Sequence, residues 1–129
     1  MTEETRTMTI CALAIPEMGH FLPIMQIAEE LASRGHTVHV VTLCYFKEKC
    51  QKMIEDAGCI PKFTDENLKR EDIMPSKDYP FGNPLVYKPH GKMVRQYLDE
   101  VKPDVCVADA LEIFSLFAVD DAGVPLVIN

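Results

Sequence analysis

The sequence lacks the features by which proteins bind nucleic acids or cross membranes. Of its 129 residues, 13 are lysine or arginine and 20 are aspartate or glutamate, and the formal net charge is -7. This acidic balance repels phosphate backbones and anionic lipids, so we expect no nucleic-acid partner. No apolar run approaches the roughly 20 residues of a membrane-spanning helix. The N-terminus, residues 1–6, is polar and acidic rather than a signal peptide, so a cytoplasmic location is expected.

Metal-binding and disulfide patterns are also missing. The 5 cysteines stand at positions 11, 44, 50, 59 and 106, and no pair has the C-x-x-C spacing. A zinc site needs ligands that are clustered more tightly than these, so no metal is predicted. The number of cysteines is odd, and two of them lie within apolar runs. This pattern indicates reduced thiols in the core rather than a disulfide framework.

The sequence has only 6 glycines, and they form none of the loops that hold nucleotides. No G-x-G-x-x-G follows the first apolar run, and there is no P-loop. The second apolar run ends in Thr42-Leu43-Cys44-Tyr45, which offers no acid to a ribose hydroxyl. No serine or cysteine stands in the strand-to-helix context of a hydrolase nucleophile. We therefore expect no NAD, FAD or ATP cofactor and no hydrolase.

The sequence does contain a regular alternation of apolar runs with segments of helical periodicity. Such alternation is typical of a parallel α/β sheet. Strands are predicted at residues 8–15, 37–42, 59–63, 105–108 and 125–128, and helices at about 21–34, 46–57, 85 or 88 to 101, and 111–122. This alternation predicts a Rossmann-like domain with helices on both faces of the sheet and strand order 3-2-1-4-5. Residues 64–84 predict a long surface loop that is a candidate wall of a binding site.

Two polar residues are expected to meet at one crevice of this sheet. His20 follows the first strand and Asp109 closes the fourth, and these strands are neighbours at the point where the winding reverses. Gly19 permits a tight turn and close approach of another molecule. A neutral His20 imidazole could accept a proton from a hydroxyl group, as a general base does. Asp109 could accept the other ring N–H, which would fix the tautomer and stabilise the charge that forms.

Other interpretations of the histidines and of Asp109 stay open at this point. His20 could be a capping or surface residue, and Asp109 could be the N-cap of the fourth helix, a role that does not exclude pairing with His20. His36 and His39 flank the entry to the second strand and are expected to be structural. His90 lies in the segment Lys88-Pro89-His90-Gly91-Lys92 and is expected to be exposed to solvent.

Two segments of the chain resemble the UDP-dependent glycosyltransferases. The first comprises Gly19-His20, Pro23, Ala28, Leu31, Arg34-Gly35-His36 and the run from Val38 to Thr42. The second comprises the run from Lys102 to Asp109, then Phe117-Ala118-Val119 and Gly123-Val124-Pro125. The two matches occur in the order that this family has, at a plausible separation. The stretch from 44 to 100 matches no motif of the family.

The resemblance implies a GT-B fold of two facing Rossmann-like domains, of which this chain would be part of the N-terminal, acceptor-binding one. It implies that His20 deprotonates an acceptor hydroxyl, with Asp109 as its partner, and that configuration inverts as UDP leaves. It also implies that Gly19 lies near the sugar-phosphate and that a UDP-sugar is a co-substrate rather than a cofactor. Residues beside the crevice are candidates for the acceptor pocket, with core packing as their alternative role: Met18, Phe21, Tyr79, Phe81, Met93, Leu111 and Phe114.

The chain departs from the family most clearly in its extent. It ends at Asn129, inside the implied N-terminal domain, and lacks the C-terminal domain that would grip the nucleotide sugar. We therefore expect a fragment of a transferase whose isolated chain is inactive. A different class of function stays open: a non-catalytic module that binds a small apolar ligand or pairs with a separate subunit.

Overall fold

The computed structural model describes residues 6–15, 17–43, 47–65, 68–69, 71, 76–80 and 83–129. These residues form five strands and four helices in alternation. In chain order they are β1 (Thr9–Ala14), α1 (Met18–Ser33), β2 (Thr37–Thr42), α2 (Lys47–Asp56), β3 (Ile60–Phe63), α3 (Pro84–Val101), β4 (Val105–Ala108), α4 (Ile113–Ala122) and β5 (Leu126–Ile128). All neighbouring strands are parallel, in the order β3-β2-β1-β4-β5. The predicted fold class and strand order are confirmed.

The central strand β1 shows why the apolar runs are continuous. Its side chains alternate between the two faces of the sheet. Ile10 and Ala12 belong to the cluster that packs under α1 and α2, whereas Cys11 and Leu13 belong to the cluster under α3 and α4. Because both faces of β1 are covered, its residues are apolar at successive positions. In a strand with one face exposed to solvent, every second residue could be polar.

The cysteines that the structure describes are free thiols in this core, as predicted. They are Cys11, Cys50, Cys59 and Cys106, and all four are buried. A hydrogen bond with Cys106, followed by burial, raises the pKa of the Cys11 thiol. A thiol held in this protonated state is a poor nucleophile, so these residues act as small apolar groups. Cys44 lies outside the described residues.

Helix α1 begins earlier than the sequence predicts. Its N-cap is Glu17, which has an extended backbone, and the helix starts at Met18 rather than near Phe21. The N–H groups of both His20 and Phe21 donate to the carbonyl oxygen of Glu17, at 2.8 and 2.6 Å. His20 therefore lies in the first turn of the helix, where its side chain is held by regular backbone geometry.

Helix α3 packs on the sheet with a face that only partly matches the predicted one. It is capped by Asn83, whose side chain accepts a hydrogen bond from the N–H of Leu85 at 3.0 Å. Tyr97 and Val101 pack against the core as expected, whereas Met93, expected to point inward with them, is 37% exposed. The buried residues of the helix are Tyr87, His90, Gly91, Val94 and Leu98. Among the described residues no helix is both long and apolar enough to span a bilayer.

Candidate active site

The site lies where the winding of the sheet reverses, between the C-terminal ends of β1 and β4. Leu13 and Ala108 are opposite each other in this strand pair. The N–H of Asp109 donates to the carbonyl oxygen of Leu13 at 3.2 Å, which anchors Asp109 to β1. Open α/β sheets bind their ligands in this crevice. The position is the one that the order of the strands predicts.

His20 and Asp109 meet in this crevice. The Nδ1 atom of His20 lies 2.9 Å from Oδ2 of Asp109. The His20 side chain is 39% exposed, whereas that of Asp109 is 9% exposed. A carboxylate can only accept, so Nδ1 carries the proton of this bond and Nε2 of a neutral ring is left as an acceptor. The pair therefore has a buried carboxylate behind a solvent-accessible imidazole.

The second carboxylate oxygen of Asp109 organises the turn that follows β4. Its Oδ1 accepts a hydrogen bond from the N–H of Leu111 at 2.8 Å. The backbone carbonyl of Asp109 accepts from the N–H of Glu112 at 3.1 Å, which closes a β-turn. Helix α4 starts at Ile113, after an N-cap at Glu112. The N-cap interpretation of Asp109 is thus wrong in detail, because Asp109 holds the turn before the helix.

Gly19 occupies the exposed side of the first turn of α1, next to the pair. Apart from its chain neighbours and the backbone of its own helix, no atom of the described residues lies within 4 Å of the position that a Cβ would take there. The backbone can therefore be approached closely by another molecule, although a small side chain would also fit. The proposed proximity of Gly19 to a sugar-phosphate stays a prediction.

The residues expected to line an acceptor pocket are scattered. Leu111 is half-exposed and adjoins Asp109 through the turn. Met18 packs at the margin of the cluster under α1, and Phe114 stacks on Tyr87 with ring centroids 6.0 Å apart. Within the described residues, no hydrogen bond or ring contact links the exposed Tyr79 to His20 or Asp109. Phe81 lies outside the described residues.

Two members of the predicted acceptor wall are better explained otherwise. Phe21 is 0% exposed and belongs to the core cluster under α1 and α2, so its ring has no surface to offer a ligand. Phe21 lies three and seven positions before Ile24 and Ala28, on the inward face of α1, so core packing is its role here. Met93 lies on the outward face of α3, and no hydrogen bond in the described chain ties it to the pair.

A buried polar cluster that the sequence did not predict surrounds His90. The expectation of an exposed histidine is wrong, because His90 is 3% exposed. Its Nδ1 lies 2.5 Å from Oγ1 of Thr64, and its Nε2 lies 3.1 Å from Oγ of Ser115. The same Nε2 lies 3.3 Å from Oε1 of Glu112. The lysines, proline and glycine around His90 suggested a surface turn, whereas its spacing from Tyr87 and Val94 matches one helix face.

The remaining histidines have the structural roles expected of them. Nδ1 of His36 accepts a hydrogen bond from the N–H of Met8 at 3.0 Å. Nδ1 of His39 lies 2.8 Å from the hydroxyl of Tyr97, and the two rings meet edge to face. Lys62 places its Nζ atom 5.3 Å from the centre of the Tyr97 ring. This group lies on β2, β3 and α3, on the side of β1 away from β4.

Burial lowers the pKa of His39 below its ordinary value of 6.5, which predicts a pH-dependent stability. Below that value the unfolded chain takes up a proton that the folded chain resists, so folding stability falls as the pH falls. We expect the variant His39→Gln to lose part of this dependence while keeping a partner for Tyr97. Urea unfolding of both proteins between about pH 7.5 and 5.5 measures it. Equal slopes would contradict the prediction.

No group of three or more histidine, cysteine, aspartate or glutamate side chains in the described part of the chain is arranged to hold a metal ion. The titratable side chains at the crevice are instead paired, as His20 is with Asp109. Their arrangement suits proton transfer at a hydroxyl group.

Sequence comparison gives no relatives. No protein-family profile matches the chain. No curated protein matches it either.

Comparison of folds, in contrast, finds glycosyltransferases. The glycosyltransferase SnogD from Streptomyces nogalater has a TM-score of 0.76 at 16% identity, over 96% of this chain and 34% of its own. The Phytolacca americana UGT2 complexed with UDP-2fluoro-glucose and pterostilbene has a TM-score of 0.72 at 14% identity, over 98% and 31%. The Streptomyces sp. SF2575 enzyme SsfS6, complexed with thymidine diphosphate, has a TM-score of 0.66 at 20% identity, over 95% and 38%.

These neighbours share the fold of this chain. It matches glycosyltransferases of the GT-B type over nearly all of its own length. The chain spans roughly a third of the length of each neighbour, between 31% and 38% in the three cases above. The chain therefore has a Rossmann-like fold that corresponds to about a third of these GT-B structures.

Proposed function

We propose that this chain is the acceptor-side portion of an inverting glycosyltransferase, which moves a sugar from a UDP-sugar to the hydroxyl of a small, lipophilic acceptor. The observation that carries the proposal is the contact between Nδ1 of His20 and Oδ2 of Asp109 at the switch point of the sheet. The fold shared with glycosyltransferases supports the same reaction class. A histidine–carboxylate pair can serve several reactions. Its position at the switch point of a fold shared with glycosyltransferases favours sugar transfer among them.

The proposed reaction is a single displacement. Nε2 of His20 takes the proton of the acceptor hydroxyl, and the oxygen attacks the anomeric carbon of the donor. The bond from that carbon to the diphosphate oxygen breaks, and its electron pair leaves with the nucleoside diphosphate. Attack opposite the leaving group inverts the configuration. Asp109, only 9% exposed, stabilises the imidazolium that forms, because a buried negative charge is weakly screened.

The donor and acceptor are proposed from different features. The resemblance of the sequence favours a UDP-sugar as co-substrate, with no further cofactor, and places Gly19 near its phosphates. One structural neighbour carries a UDP-sugar analogue and another thymidine diphosphate, so the assay includes both nucleotides. Leu111 and Phe114 are the candidates nearest to Asp109 in the chain for an apolar acceptor wall. A cytoplasmic location stays a prediction that cell fractionation would test.

We expect the 129-residue chain alone to show no sugar transfer, because the part that grips the nucleotide in a two-domain transferase is absent from it. The measurement is release of UDP or thymidine diphosphate from the matching glucose donor, in the presence of a panel of phenols and sterols. Robust release by the isolated chain would contradict this expectation.

The proposed function itself is tested on the native protein, captured from its source with an antibody to this chain. A mass well above 14.6 kDa together with transfer to a phenol or sterol supports the transferase. A mass near 14.6 kDa, with acceptor binding and no transfer after every candidate partner is supplied, favours the non-catalytic binding module instead.

A further inference from the structure

The buried cluster around His90 joins three separate segments of the chain. His90 comes from α3, Glu112 and Ser115 from the start of α4, and Thr64 from the segment after β3. The side chains of His90 and Glu112 are 1% and 2% exposed. None of these groups takes part in the reaction proposed for His20, and their burial leaves no path for a substrate to reach them.

The carboxylate of Glu112 lies against the ring of His90. Neither carboxylate oxygen of Glu112 has a hydrogen bond among the described residues, and Nε2 of His90 lies 3.3 Å from Oε1. A buried carboxylate without a partner is costly, and it can only accept. This contact with Nε2, which also faces Ser115, is therefore the polar contact that holds Glu112 in place. Burial first, and then the charge of Glu112, raise the pKa of the adjacent Tyr87, which keeps that phenol neutral.

The two helices that carry this pair are also packed closely. A Cβ added to Gly91 of α3 would lie 3.2 Å from Cβ of Phe114 and 3.3 Å from its carbonyl oxygen. Such a close approach leaves little room for α4 to rotate or slide against α3. The contact between His90 and Glu112 and the close approach at Gly91 together fix the start of α4 on α3.

The start of α4 is in turn connected to the catalytic pair. The N–H of Glu112 closes the β-turn on the carbonyl of Asp109 at 3.1 Å, and the Asp109 side chain accepts from Leu111 inside that turn. Displacement of Glu112 would therefore move Asp109, whose Oδ2 holds Nδ1 of His20. A shift of about 1 Å in a catalytic group can cost roughly a hundredfold in rate.

We propose that His90 and Glu112 are positioning residues that set the orientation of Asp109 and, through it, the tautomer of His20. A buried polar contact is weak support for stability, since apolar replacements are often equally stable. The contact between His90 and Glu112 matters here because it orients the turn from Asp109 to Glu112. The inference about the reaction rests on the proposed function, whereas the geometric link from His90 to His20 does not.

The test follows the His20 ring by 15N NMR in the whole chain. Wild type is expected to show a single Nδ1–H tautomer, and Glu112→Ala to show a mixture of the two tautomers. Glu112→Gln keeps the volume and the turn, and should shift the tautomer in the same direction by a smaller amount. Val119→Ala, a fully buried position of α4, is the matched control that weakens the helix without touching the turn.

The outcomes are distinct. An unchanged His20 tautomer in both Glu112 variants would overturn the proposal, as would an equal change in Val119→Ala. In the native transferase we expect Glu112→Gln to lower kcat by about 10- to 100-fold at unchanged KM. A tautomer change in a protein that transfers no sugar would leave the positioning role intact and refute the proposed function alone.

Discussion

The variant His20→Ala is expected to lower kcat for sugar transfer by about 100- to 10,000-fold in the native protein, with a smaller effect on KM. The general base acts on the acceptor proton mainly in the transition state, so its loss reduces the rate more than the affinity. Binding and positioning of the two substrates survive the substitution, which is why activity should not fall to zero. Initial rates at saturating donor, over a range of acceptor concentrations, separate the two effects.

The variant Asp109→Asn tests the carboxylate partner of His20 in the same kinetic assay. The amide has nearly the shape of the carboxylate and keeps an oxygen for the N–H of Leu111, but it cannot stabilise the imidazolium. We expect a loss that is smaller than that of His20→Ala, and the double variant should be little worse than His20→Ala alone because the two residues act as a unit. Gln26→Ala, on the exposed side of α1, is the control for changes to this helix. A wild-type rate of sugar transfer in His20→Ala would refute the role of His20 as general base.

The variant Phe21→Ala is expected to cost about 3–5 kcal/mol in the free energy of unfolding. Phe21 is fully buried under α1, so its truncation leaves a cavity between that helix and the sheet. If it lined an acceptor pocket instead, its loss would change acceptor affinity and cost little stability. Urea denaturation of the whole chain measures the difference.

Leu22→Ala is the matched control for this substitution. It lies one position further along α1 and is partly exposed, so we expect a change within about 0.5 kcal/mol. Equal unfolding free energies for Phe21→Ala and Leu22→Ala would show that Phe21 does not hold α1 on the sheet. A large loss for Phe21→Ala alone supports its removal from the predicted acceptor wall.

The fold could be predicted because it depends on patterns that extend over many residues. Apolar runs such as β1 are continuous where both faces of a strand are buried, and their alternation with helices leaves few topologies. The strand order then brings residues 89 positions apart, His20 and Asp109, into one crevice. The candidate base and its partner were predicted from that order together with the chemistry of the two side chains.

The rest of the site depends on features that a single sequence shows poorly. Phe21 follows the crevice directly in sequence, but its helical spacing from Ile24 and Ala28 puts it in the core, and the start of α1 was itself placed three residues late. His90 was misjudged because polar neighbours outweighed its helical spacing from Tyr87. Its partners, Thr64 and Glu112, are distant in sequence, and nothing in the sequence alone joins them.

The two margins of the sheet are chemically different. The N–H of Thr64 donates to the carbonyl oxygen of Thr42 on β2. Backbone N–H groups alternate in direction along a strand, so the backbone nitrogens of Pro61 and Phe63 point away from β2. Pro61 has no N–H, which leaves that margin poor in donors. On the opposite margin, Leu126 and Ile128 turn their N–H groups outward, because Asn129 donates toward β4. The β3 margin is therefore the poorer template for the addition of a further strand.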